Sequence, residues 1–213
     1  MNLKLVSSIL GLAMAALVFT ACGSKSGQHA VDKIQPGVTE QQLNHRWTTV
    51  CVKVDADIFS LGSQTERYDI GSIFSKITSY YAESNCITPL IQVAESGDSQ
   101  IGAQLSGNMA KINIDYSSVS ITALNDTGKD MLNTFQTCGL TDWVVGQSRD
   151  MTAATSLNPL ANQCWTKTPR TVFDLVQVTG TQLKFGLNAN GLDKTTSDRR
   201  PNTIDDSKVL NRQ

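Results

Sequence analysis

Histidine is nearly missing from this 213-residue chain, which has only His29 and His45. Hydrolytic triads and most zinc centres draw on histidine as base or ligand. No Gly-x-Ser-x-Gly elbow and no Cys-x-x-Cys pair compensates for the shortage. No catalytic residue is assigned on these grounds, an enzyme is not expected, and neither a metal nor a cofactor is expected. An excess of one charge is missing too. The 18 basic and 19 acidic residues leave a net charge of −1, which gives no electrostatic footprint for nucleic acid. Long apolar runs are also absent. The most apolar stretch, Leu5–Phe19, falls short of the about 20 residues needed to span a bilayer.

What that stretch does fit is an export signal. Lys4 supplies the positive start, an apolar run follows, and small residues precede Cys22. The order Phe19-Thr20-Ala21-Cys22 resembles a bacterial lipobox. The resemblance implies cleavage before Cys22, a diacylglycerol on its sulfur and an acylated amino terminus, with several acyl chains giving a stable hold on a bilayer. No Asp follows the cysteine (Gly23 and Ser24 do), which leans the expected location toward the outer membrane. Residues 1–21 are thus read as a lipoprotein signal peptide and 22–43, rich in Gly, Ser and Gln, as an acylated flexible tether. Within the tether, Val38 to Leu43 has the makings of one helical turn capped by Thr39.

Beyond Cys22 four cysteines remain, an even number in an exported chain, which reads as two disulfides. Three pairings are open. Cys51–Cys86 and Cys138–Cys164 are favoured, because each closes a loop of one or two predicted strands.

The folded domain is placed at 44–205, followed by a polar tail over 206–213. Strands are predicted over Trp47–Val54, Ser72–Tyr81, Ile87–Val93, Gln100–Leu105, Lys111–Ser117, Val119–Ala123 and Thr141–Gly146. The best hairpin runs from Thr171 to Leu187 around Thr179-Gly180. Asp55–Tyr68 and 147–170 read as long connections, the second with a short strand near Trp165, and Glu95–Ser99 as a turn. Pro89 suggests an edge or bulge. Ile112, Ile114 and Tyr116 share one parity and Val119, Ile121 and Ala123 the other, which requires a bulge near Ser117-Ser118. A short helix is predicted over Asp130–Phe135. Many short strands, little helix and no strand–helix alternation give an all-β class, as an antiparallel barrel or sandwich.

Several residues then carry a family likeness: Trp47 shortly before Cys51, Tyr80-Tyr81 before Cys86, Ile114-Asp115-Tyr116, Cys138-Gly139 with Asp142-Trp143, Phe173-Asp174-Leu175-Val176 with Leu183-Lys184-Phe185-Gly186, and Arg200-Pro201. Together they resemble the small lipocalin-like (calycin-type) lipoproteins of Gram-negative bacteria. The resemblance implies an up-and-down barrel whose mouth takes a small apolar ligand. The alternative is an envelope protein that binds another protein through surface loops or inhibits it, with the long connections as the binding elements.

Sharper readings of single residues compete with blander ones. Trp47 is either a core residue or a stacking partner for Arg199 or Arg200 at the barrel base. Trp143 and Trp165 read as packing for the second cysteine pair. Paired carboxylates for glycoside chemistry would have to come from Asp55, Asp57, Asp69 or Asp115, and nothing in the sequence sets two of them at a working separation. Asn188–Asp193 resembles a calcium loop in composition, without the spacing such a loop needs.

Overall fold

The computed structural model describes residues 37–53, 62–71, 73–152, 168–189 and 191–213. Ten strands form one sheet: β1 (Arg46–Thr49), β2 (Val52–Lys53), β3 (Ser63–Asp69), β4 (Phe74–Tyr81), β5 (Pro89–Leu105), β6 (Met109–Ala123), β7 (Ser148–Asp150), β8 (Arg170–Thr179), β9 (Gln182–Gly186) and β10 (Ile204–Arg212). Two helices accompany them, α1 (Glu40–Leu43) and α2 (Asp126–Thr134). Eight strands close on themselves in the order β1, β3, β4, β5, β6, β8, β9, β10, because β1 pairs antiparallel with both β3 and β10. The fold is a closed antiparallel barrel, as expected, and closure removes the exposed strand edges. β2 continues along β3, and β7 adds to β6 outside the ring.

Local sequence sets the barrel's irregularities. Ser96 faces Ser118 while Gly97 faces Tyr116, so Ser117 is the extra residue that switches the inward parity of β6, where the two isoleucine patterns meet. Leu90 is extra in the same way beside Pro89. α2 begins earlier than expected. The Asn125 side chain caps it by accepting from the Gly128 N–H at 2.9 Å and anchors it by donating to the Pro89 carbonyl at 3.1 Å. A Cβ at position 128 would lie 2.0 Å from the Leu90 carbonyl oxygen, so glycine alone lets the helix sit this close to β5.

Two apolar clusters result. The lower one fills the barrel with Trp47, Phe74, Ile112, Val176, Leu183 and Leu210, among others. The upper one lies on the tall β4–β5–β6 wall, where Tyr80, Ile91, Val93 and Ile121 are covered by Leu132 of α2, Trp143 and Met151. No helix among the described residues is long and apolar enough to cross a membrane.

Several expectations need correction. The helical turn expected within Val38–Leu43 forms as α1, with Thr39 as its cap and a full Thr39/Gln42 capping box, but Val38 and Leu43 are buried in the lower core, so residues 37–43 belong to the barrel and not to a tether. The chain from Ser63 to Asp69, taken as connection, is β3, and the supposed polar tail is most of β10, whose Leu210 is fully buried. No turn interrupts β5 at Glu95–Ser99. Thr141–Gly146 is not a strand. Only Val145 makes an isolated bridge, to Ala123, and β7 follows instead.

Cys51 and Cys86 are bonded, joining the connection after β1 to the one after β4 across 35 residues of sequence. Cys138 is disulfide-bonded as well. Its favoured partner Cys164, with Cys22, Asp55, Asp57 and Trp165, lies outside the described residues.

Two outcomes follow for stability. Leu43→Ala should lower unfolding free energy by about 2–5 kcal/mol in urea denaturation, whereas a tether residue would register almost nothing. Replacing Cys51 and Cys86 together by alanine should lower it by about 4 kcal/mol in the chain-entropy description of a loop this long.

Candidate functional site

Halfway up the barrel the interior changes character. An aromatic layer comes first. Tyr68, Phe74, Tyr116 and Phe185 meet edge-on or tilted, with ring centroids 5.1–6.0 Å apart. Above it, charged side chains point inward from β3, β4, β5, β8 and β10. Glu66 lies 2.5 Å from Lys208 and 3.7 Å from Lys76, and it accepts a 2.7 Å hydrogen bond from the Tyr68 hydroxyl. Glu95 is bonded by Arg170 at 2.5 Å and also stands 3.7 Å from Lys76. The Arg170 guanidinium lies over the Tyr116 ring, 4.1 Å from its centroid.

Asp174 completes the layer on β8. One oxygen accepts from the backbone N–H groups of Leu175 and Gly186, and the other takes Lys194 at 2.7 Å. A Cβ at position 186 would stand 2.7 Å from that first oxygen, so β9 passes the carboxylate only because residue 186 is glycine.

The cations of this layer and Asp174 border an open cavity of about 440 Å³. Its walls are Tyr68, Tyr116, Ile114, Val172, Phe185 and Leu187, with Lys76, Arg170, Lys194 and Lys208 as its cations and Asp174 and Asp205 as its carboxylates. It opens where β10 bulges away from β9: the ladder is irregular between Ile204 and Val209, and both Asp205 and Lys208 fall in that gap. A second, wider hollow of about 880 Å³ lies at the base around α1, His45 and the β3–β4 turn. It brings together no comparable set of charges.

The acids and the cations occupy different depths. The side chains of Glu66, Glu95 and Asp174 are 6%, 3% and 6% exposed, while the four cations range from 17% to 36%. Burial acts to raise the Glu66 carboxyl, but the Lys76 and Lys208 charges, with hydrogen bonds from Lys208 and Tyr68, outweigh it and hold the group at about 2. Asp174 goes the other way. Burial raises its carboxyl against the pull of Lys194 and the two backbone N–H groups. Burial, followed by the nearby Glu66 and Glu95 carboxylates, pushes the Tyr68 and Tyr116 hydroxyls well up, so both stay neutral. Glu66 and Glu95 share Lys76, yet Glu66 is ionised throughout the physiological range. It carries no proton to give, so it is no general acid.

Of the residues singled out in the sequence, Ile114, Tyr116, Asp174 and Phe185 of the family likeness and Asn188 of the calcium-like segment meet here, whereas Asp69, Asp115, the stacking residues and Asp193 do not. Asp69 is paired with Arg46 and Arg67 at the base, and Asp115 accepts from Thr171 on the outer wall. His45 stacks edge-on against Trp47. Trp47 is a core residue that donates to the Leu43 carbonyl. The arginine contact imagined for it is made elsewhere, by Arg200 on Phe173 and on the carbonyls of Ile112 and Asp174. Asp193 binds Thr195 and Arg199 within its own turn. Among the described residues no group of three His, Cys, Asp or Glu side chains is arranged to hold a metal. No protein-family model matches this chain, and no curated protein matches it in sequence.

Glu66 also governs acid stability. Its folded value lies below the ordinary 4.5, so its contribution is fully present above pH 4.5 and disappears as pH falls toward 2. A shift of this size corresponds to about 3 kcal/mol. Urea unfolding followed from pH 6 to pH 2 should show that loss in the wild type and a clearly shallower slope in Glu66→Gln.

Proposed function

We propose that this is a lipid-anchored, lipocalin-like binding protein of the bacterial envelope, held in the outer membrane through acylated Cys22 and taking a small molecule into the upper half of its barrel. The observation that carries the reading is the 440 Å³ cavity, bordered by aromatic and aliphatic walls together with four cations, two aspartates and Asn188. That size and lining are those of small-molecule sites. The lower half of the barrel is filled by its own side chains, so the ligand is confined to the upper half. The walls suit an apolar body, and the cations beside them favour a ligand that also carries a charge. No step of chemistry is assigned, and the protein is read as a binder rather than an enzyme.

A second reading has one observation in its favour. Val50, Val52 and Ile87 are 66%, 41% and 71% exposed and flank the Cys51–Cys86 bond on the upper rim, a surface suited to another envelope protein.

Native mass spectrometry of protein extracted from its own membrane tests both parts of the proposal. The expected spectrum contains the barrel with a retained small molecule and an amino-terminal peptide heavier by a diacylglycerol and an acyl chain on Cys22. An unmodified Cys22 would remove the anchor. A barrel without any small molecule, recovered instead with a stoichiometric protein, would replace the first reading by the second.

A further inference from the structure

We infer that the upper cavity is specific for a compact organic anion, a carboxylate or phosphate on a single ring or short aliphatic body, and not for a long-chain lipid. This rests on the ligand-binding reading and names the class of ligand. Three independent features point to it.

The first is the depth ordering of the ion pairs. Two of the three buried acids lie behind their cations as seen from the cavity, while Asp174 borders it beside Lys194. Glu66 and Glu95 do not border the space at all, whereas Lys76, Arg170, Lys194 and Lys208 do. The acids therefore fix the cations in place and leave their outer faces toward the ligand, so an entering group meets preorganised positive charge.

The second is unused donor capacity. The Arg170 Nη1 atom is buried and has no hydrogen-bond partner among the described residues. A buried guanidinium nitrogen left this way carries a desolvation penalty that an acceptor would relieve. Lys76 stands 3.7 Å from both of its acids, beyond hydrogen-bond reach, and Lys194 and Lys208 each spend one of three donors on a carboxylate. The residues that carry these donors all border one cavity.

The third is the floor. A fatty acid needs a deep apolar channel for its tail. Here the Tyr68, Phe74, Tyr116 and Phe185 layer closes the way down, over a core packed with fully buried Trp47, Leu183 and Leu210. Only a short body fits between that floor and the opening at β10.

The test uses the full chain with its disulfides intact and four probes in calorimetric titration: phenyl phosphate, benzoate, neutral benzamide and laurate. Phenyl phosphate and benzoate should bind saturably, with benzamide at least tenfold weaker and laurate not bound. Lys208→Gln should weaken phenyl phosphate at least tenfold, since Glu66 keeps Lys76 and Tyr68 as partners in that variant. Arg170→Gln should do the same, with the fold of both variants verified by circular dichroism. Lys184→Gln, on the outer wall, should bind like the wild type. Benzamide binding as tightly as benzoate, laurate binding more tightly than either anion, or full affinity in a folded Lys208→Gln would each overturn the anion class while leaving a ligand-binding barrel. If no probe binds yet the native protein carries a small molecule, the class alone is wrong. If no probe binds and the native protein is empty, the binding reading falls with it.

Discussion

The ion cluster of Glu66, Lys76, Glu95 and Arg170 is the constraint around which the barrel is arranged. It lies on the inward faces of three neighbouring strands and of β8 across from them, with one apolar cluster below it and another above it on the β4–β5–β6 wall. A buried carboxylate with no partner costs several kcal/mol. The four groups are therefore tolerable only as a set, and the register that brings Lys76 opposite Glu95 is correspondingly specified. A one-residue slip of β4 would turn Lys76 outward and leave both acids without it.

That layer separates two jobs. Below it the barrel is a stability element: α1 seals the base, Trp47 ties α1 to β1 through its bond to Leu43, and β10 returns to pair with β1. Above it the walls diverge. The β10 bulge and the connection carrying Lys194 leave space, and the Cys51–Cys86 bond holds two of the upper connections together. The bond closes a loop of the unfolded chain and so stabilises the barrel as a whole.

How much of this was legible follows from which faces are apolar. β6 could be read over most of its length, bulge included, because its inward positions are Ile and Tyr before Ser117 and Val, Ile and Ala after it. The β8–β9 hairpin was equally plain. β3 was missed because its inward pair is Glu66 and Tyr68 between polar neighbours, so no period-two apolar signal exists. β10 was missed for the same reason: of its buried face only Leu210 is apolar, and Lys208 beside it serves the ion cluster. The strands that the pattern hid carry Glu66, Tyr68 and Lys208 of the site. One signal was nevertheless available. Lys76 falls on the parity of Phe74 and Tyr80, Glu95 on that of Ile91 and Val93, and Asp174 on that of Val172 and Val176. Three charges on three inward faces mark a polar interior, whereas the position of Lys194, set by a loop with a left-handed residue, could not be foreseen.

Stability alone does not require the cluster. Replacing a buried ion network by apolar residues of similar size is commonly neutral or stabilising, and the lower half of this barrel demonstrates that such packing is within its reach. Here the carboxylates are sealed, the cations are left partly open on one side, and Arg170 retains a nitrogen with nothing to bond among the described residues. Sealed acids and half-open cations are what a site needs if it is to hold positive charge still while waiting for an anion, since the ordering is then done before the ligand arrives.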